Sequence, residues 1–95
     1  MFIVSLTYTC ELSEIEKHLA AHIAYLEQQY AAGHFLASGR KVPRTGGVIL
    51  AQADSQEQLW QILALDPFKQ QQLAEYEIIE FIPTKTAESL ACWRQ

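Results

Sequence analysis

Apolar and polar residues alternate from Phe2 to Tyr8, with Phe2, Val4, Leu6 and Tyr8 on one side and Ile3, Ser5 and Thr7 on the other. Period two in a run rich in β-branched and aromatic residues predicts a strand. The period then changes. Ser13-Glu14-Ile15-Glu16 is a capping-box signature. A helix is expected from there to about Ala32, with Gly33 just past its end. At about 100° per residue, Ile15, Leu19, Ile23, Leu26 and Tyr30 make one apolar stripe. His22 falls about 60° from the middle of that stripe, on the rim of the expected buried face, with His18, Tyr25 and Gln29 on the same side.

Phe35 to Ser38 reads as a second strand and Val48 to Ala53 as a third, joined by the turn-rich loop Ser38–Gly47 into a long hairpin. The third strand is apolar on both faces at its start, which a one-sided sheet does not require. Asp54-Ser55-Gln56-Glu57 opens a second helix with an acidic cap, and Leu59, Trp60, Ile62 and Leu63 form its apolar side. Leu65-Asp66-Pro67-Phe68 is the sharpest local signal. Proline disfavours α geometry in the residue before it and suits the first position of a new helix, while aspartate is a strong N-cap. These residues predict a corner between two helical segments, the second running to about Ala74. Tyr76 to Ile82 is a fourth strand stopped by Pro83, with Ile79 and Phe81 on one face and Ile78 and Ile82 on the other. Residues 84–95 form a C-terminal tail, helical from Thr86, in which Leu90 and Trp93 dock.

The order β-α-β-β-α-β predicts a single α+β domain over 1–95 with the ferredoxin-like arrangement: a four-stranded antiparallel sheet with both helices on one face. The other face then stays apolar and uncovered, at a cost of about 25 cal/mol per Å². A second copy packing sheet to sheet removes that cost, so a homodimer through the open sheet face is expected, with the two sheets closing into a barrel-like core.

Composition narrows the function classes. The net charge is -4 and only seven Lys and Arg are present. A nucleic-acid binder needs a basic stripe. An RNA-reading sheet needs exposed aromatics at its centre, and Val48-Ile49-Leu50-Ala51 has none. No apolar run reaches 18 residues and the N-terminus lacks a signal pattern, so neither a membrane nor secretion is expected, and a cytoplasmic protein is. Cys10 and Cys92 are far apart and cannot by themselves hold a zinc or an iron–sulfur cluster. No cofactor is expected.

Taken together, His22-Ile23-Ala24-Tyr25-Leu26, Gly33-His34-Phe35-Leu36-Ala37-Ser38-Gly39, Pro43-Arg44-Thr45-Gly46-Gly47-Val48-Ile49-Leu50 and Asp66-Pro67-Phe68 resemble the YciI-like (YCII-related domain) proteins. The resemblance runs from the first strand to the fourth. It implies a dimeric α+β barrel and an active-site pair made of a first-helix histidine and the aspartate of the Asp-Pro-Phe corner, here His22 and Asp66. Most members have no assigned reaction, and a dehydrochlorinase-type activity on chlorinated aromatic compounds is attributed to the family in places. The chain departs from the pattern twice. Many relatives carry an arginine where Leu19 stands, and others carry proline where Arg40 follows Gly39. An anion-holding role for that missing arginine does not carry over; Arg40 and Arg44 are candidates to replace it.

On that implication His22 would serve as general base or acid, with Asp66 fixing its tautomer. Elimination, isomerisation or hydration fits better than acyl transfer, because Ser38 lacks a nucleophile-elbow context. Ser38, Gly39, Arg40, Arg44 and Gly47 are the candidate substrate-binding residues for a small anionic or aromatic molecule. Three blander readings stand beside this one: His22 as a rim histidine tied down by a capping Asp66, a non-catalytic metabolite-binding or regulatory module using the same cleft, and a structural accessory subunit. His18 and His22 have the i, i+4 spacing a metal can bridge, with His34 as a third ligand only if the fold brings it near. No HExxH glutamate accompanies them, and ordinary helix-surface histidines are the favoured reading. Gly46-Gly47 is read as a hairpin turn needing positive φ rather than an anion-binding loop.

Overall fold

The alternating run at the N-terminus becomes an inner strand of the sheet. In this computed structural model, which describes residues 1–95, β1 is Phe2–Tyr8, β2 is Phe35–Arg40, β3 is Gly46–Ala51 and β4 is Ala74–Glu80. The four strands form one antiparallel sheet in the order β2-β3-β1-β4. Helix α1 (Leu12–Ala31), helix α2 (Gln56–Leu63) and the single-turn α3 (Pro67–Gln70) complete the β-α-β-β-α-β order, with α3 added at the corner.

Register explains which residues make the core. Phe2, Val4 and Leu6 stand opposite Ala51, Ile49 and Gly47 on β3, and opposite Glu80, Ile78 and Tyr76 on β4. That face carries the helices. Its buried side chains join Ile15, Leu59, Leu63 and Phe68 in one cluster. The other face bears Ile3, Val48, Leu50 and Ile79, with Ile79 57% exposed and Val48 38% exposed.

Several boundaries move from their expected places. Helix α1 starts at Leu12, and Glu11 sits at its N-cap without a side-chain bond. The Glu11 carbonyl already accepts from the Glu14 N–H at 3.0 Å, so Ser13 falls inside the first turn and cannot cap. In α2 the cap is Ser55 rather than Asp54: its Oγ accepts from the Gln58 N–H at 3.1 Å. Gln58, not Glu57, reaches back, its Oε1 accepting from the Asp54 N–H at 2.6 Å. The hairpin loop is shorter than expected, because Gly39 and Arg40 pair with Val48 and Gly47 and so extend β2. The connection is only Lys41–Thr45.

Gly46 and Gly47 therefore lie in a strand, and neither has positive φ. Gly46 is needed for another reason: a Cβ there would run into the backbone carbonyl of Leu6. β4 also begins two residues early, since Ala74 already pairs with Tyr8, and ends at Glu80. In the tail a 3-10 turn spans Glu88–Trp93, with Trp93 half-buried and Leu90 exposed. Helix α1 is also the longest, and no helix is long and apolar enough to cross a membrane.

The largest shift from expectation is a rotation. On α1 the buried residues are Ile15, His22, Tyr25 and Gln29, whereas Ile23 is 45% exposed and Tyr30 is 38% exposed. The buried strip lies about 75° round the helix from the apolar stripe. His22 is near its centre, not on its rim.

Candidate functional site

Asp66 reaches the interior through the corner that Pro67 dictates. It is the N-cap of α3, with Pro67 in the first turn, and it is fully buried. Its Oδ1 accepts from the Phe68 N–H at 3.0 Å. The same oxygen lies 2.8 Å from Nδ1 of His22. Its Oδ2 accepts from the Tyr76 hydroxyl at 2.6 Å. Capping and orienting are thus done by one oxygen, whose two lone pairs suffice for both. The other oxygen is left for a residue from β4.

This network assigns the protons. A carboxylate only accepts, so the His22 Nδ1 carries the hydrogen and donates it. In the neutral ring, Nε2 is then a bare acceptor. It makes no hydrogen bond within the chain, and His22 lines the adjacent cavity. The ring plane is fixed by Phe68, stacked at 3.9 Å between centroids and 5° between planes. Asp66 therefore holds both the edge of the imidazole and, through the Phe68 N–H, the ring against which its face lies.

Two tyrosines surround the carboxylate. Burial, reinforced by the negative charge of Asp66, raises the ionisation range of both Tyr25 and Tyr76 well above that of a free phenol. Each stays protonated and donates: Tyr76 to Asp66, and Tyr25 to the Ile62 carbonyl at 2.8 Å. Behind Tyr76, the Lys69 ammonium sits 5.2 Å from its ring and 5.4 Å from the Trp60 ring, within cation–π range.

The cavity has a volume of about 180 Å³ and lies between α1 and the helix-bearing face of β1, β2 and β3. Six of the seven residues singled out in the sequence line it: His22, Ser38, Gly39, Arg40, Arg44 and Gly47. Asp66 is behind His22 and does not. Leu19, Ile23 and Leu26 make the apolar wall, which is why these three members of the α1 stripe, unlike Ile15, are not fully buried. Ser38 is 2.6 Å from the Tyr30 hydroxyl and makes no bond to His22. Arg44 donates through Nη1 to Glu16 at 2.9 Å, while its Nε is out of contact with solvent and has no partner. Arg40 is exposed at the end of β2. His34 bonds to Gln29 at 2.8 Å, away from His18 and His22, and both cysteines are free thiols.

Sequence reasoning missed Tyr76, Tyr25 and Glu16 as members of this site. Tyr76 had one usable signal: it shares the helix-bearing face of β4 with Ile78, so a hydroxyl there needs a buried partner.

Among curated proteins, no sequence match is found. Among solved structures, the chain is similar to 5-chloro-2-hydroxyhydroquinone dehydrochlorinase from Burkholderia phenoliruptrix AC1100, determined in complex with 2,5-dihydroxybenzoquinone. The TM-score is 0.72 at 20% identity, covering 94% of this chain and 98% of that one. At that identity the likeness shows a shared α+β fold. The family model of the YCII-related domain matches residues 1–82, taking in every strand, α1 to α3 and the whole cavity, and the chain belongs to the YCII-related domain family.

Proposed function

We propose that the protein is a small-molecule enzyme that uses the His22–Asp66 pair for general acid–base chemistry of the elimination, isomerisation or hydration type. One observation carries the reading: Asp66 holds the Nδ1 side of His22, and the unpaired Nε2 belongs to a ring that lines a cavity. A base fixed in one tautomer, with its free nitrogen at a cavity of ligand size, is what proton abstraction needs. The fold shared with a dehydrochlorinase supports a small ring compound as substrate. Ser38, Gly39, Arg40, Arg44 and Gly47 then hold the ligand.

The active unit is a homodimer through the open sheet face. Apolar Ile3, Val48, Leu50 and Ile79 cluster there, with Phe81 beside them. Charge arrangement supports a second copy as the occupant. Glu75 and Glu77 lie at the β4 edge of that face, while Lys41 bonds Thr7 at 3.1 Å toward the β2 edge. A two-fold axis along the strands sets the β4 of one copy over the β2 of the other, bringing unlike charges together. Light scattering that gave a mass near 10.8 kDa would refute the dimer.

The catalytic role is tested by a turnover screen over small hydroxylated and halogenated ring compounds, comparing the natural chain with His22→Ala. Turnover lost in the variant supports the reading. Turnover insensitive to the substitution overturns it, and binding without any turnover assigns the cleft to a metabolite-binding module.

A further inference from the structure

We infer that Tyr8 is a second catalytic residue, the acid that works opposite the His22 base, and that Arg44 and Glu16 are the positioning residues behind it. The inference rests on the acid–base reading of His22 and adds to it the group that gives a proton to the ligand.

One tyrosine of the four keeps its hydroxyl hydrogen unspent. Tyr25 donates to the Ile62 carbonyl, Tyr76 donates to Asp66, and Tyr30 is paired with Ser38. The Tyr8 hydroxyl instead bonds to the Arg44 guanidinium. A guanidinium has donors only, so the phenol oxygen accepts there and its own hydrogen stays free. That oxygen is not sealed off: Tyr8 is half-buried and lines the same cavity as His22.

The surroundings fix where this hydroxyl stands. Tyr8 ends β1, and its N–H donates to the Thr45 carbonyl at 2.9 Å, which ties the strand end to the residue beside Arg44. Its ring meets Phe68 edge to face, with 6.1 Å between centroids and 89° between planes. His22 is stacked on the same Phe68 ring at 3.9 Å. Phe68 is thus the spacer between the base and the acid. Glu16 holds the guanidinium through Nη1 at 2.9 Å. Glu16 first, and Tyr8 after it, keep Arg44 protonated against the burial that opposes its charge. A cation on the lone-pair side of a phenol strengthens it as a donor and stabilises the charge left when its proton departs. Arg44 therefore acts on the ligand through Tyr8.

The two groups complement each other. Nε2 of His22 takes a proton from one ligand atom. The electron pair of that bond moves through the ligand to a second atom, which takes the Tyr8 proton. The phenolate is held by Arg44 until the imidazolium returns a proton to it through water. The net change is a proton moved from one ligand atom to another, and no oxidant, reductant or further reactant is consumed. Of the three reaction types, this pair suits isomerisation.

The test uses acetophenone, a one-ring ketone without O–H or N–H. Its size suits a cavity of about 180 Å³, since benzene occupies ~150 Å³ in an apolar protein interior. Its oxygen can accept from Tyr8, and it offers no donor to Nε2, so the outcome does not depend on His22. Affinity and the infrared carbonyl stretch are measured on the natural chain, Tyr8→Phe and Glu16→Gln, with circular dichroism to confirm that each is folded. The natural chain is expected to bind at millimolar probe, with the stretch lowered by a hydrogen bond. Tyr8→Phe should weaken binding about fivefold to tenfold, the worth of one hydrogen bond, and restore the stretch. Glu16→Gln frees the guanidinium and should lessen the lowering. Unchanged affinity and stretch in Tyr8→Phe overturn the inference, as does a natural chain that does not bind. A Glu16→Gln spectrum equal to that of the natural chain overturns the positioning role. On a substrate from the turnover screen, Tyr8→Phe should lower kcat about 10²-fold at nearly unchanged KM. A rise in KM alone makes Tyr8 a binding group and overturns its role as acid. Turnover lost in Tyr8→Phe but kept in His22→Ala contradicts the His22 reading and leaves the Tyr8 donor standing.

Discussion

Nδ1 of His22 lies 2.8 Å from Oδ1 of Asp66, and that oxygen also caps the helix that begins at Pro67. One buried atom therefore ties the first helix to the corner after the second. Damage to it is felt in both stability and chemistry. Asp66→Ala removes the cap and leaves the Tyr76 hydroxyl and the His22 Nδ1–H without acceptors. A loss of about 3 kcal/mol or more is expected, read from urea unfolding. Asp66→Asn keeps the shape and the cap but no longer requires a hydrogen on Nδ1. It should cost less stability, yet lower any His22-dependent turnover by about 10²-fold or more. Equal turnover in Asp66→Asn would show that the carboxylate does not orient the base.

Tyr76 and Tyr25 give the fold a sensitivity to alkali. Burial first, then the charge of Asp66, raises both phenols above their unfolded value. A raised acid contributes stability that is fully present below the unfolded value near pH 10 and lost above it, because the unfolded chain then releases protons that the folded chain keeps. Stability should fall above about pH 10, at up to about 1.4 kcal/mol per pH unit for each of the two. The tyrosinate absorbance of these two residues should appear only with unfolding. Tyr76→Phe should cost about 1–2 kcal/mol at neutral pH, by loss of the bond to Asp66, and should roughly halve the alkaline slope.

Gln72 carries φ of 57°, the left-handed conformation, just past the end of α3. The turn is closed by Leu73 N–H donating to the Phe68 carbonyl at 2.8 Å and Gln72 N–H to the Lys69 carbonyl at 3.0 Å, a Schellman-type end. A side chain in this region costs about 1–2 kcal/mol, partly offset in glycine by its greater unfolded-state entropy. Gln72→Gly is expected to stabilise the protein by about 0.5–1 kcal/mol in a denaturant titration. A lower midpoint would show that the Gln72 side chain makes a contact worth more than the strain.

Much of this arrangement is legible in the residues. The alternation of β1, the Gly33 stop and the Asp66-Pro67 corner each have one local cause, and each element appears where that cause puts it. The face of α1 was not legible, because spacing cannot separate a core from a cavity wall. Leu19, Ile23 and Leu26 form a perfectly good stripe, and it faces the cavity while Ile15, His22 and Tyr25 take the core. The third partner of the pair was hidden too. Tyr76 meets Asp66 only because β4 pairs with β1 and turns that side chain under the helices, a relation set by register and not by neighbouring residues. Glu16 and Arg44 meet across 28 positions for the same kind of reason.

Asp66 fixes His22 with its proton on Nδ1 and its free lone pair on Nε2. Nitrogen-15 NMR of the imidazole, at a pH where the ring is neutral, reads this without any substrate. A protonated Nδ1 and a bare Nε2 are expected in the natural chain, with the preference lost in Asp66→Asn. A His22 ring protonated on Nε2 in the natural chain would contradict it.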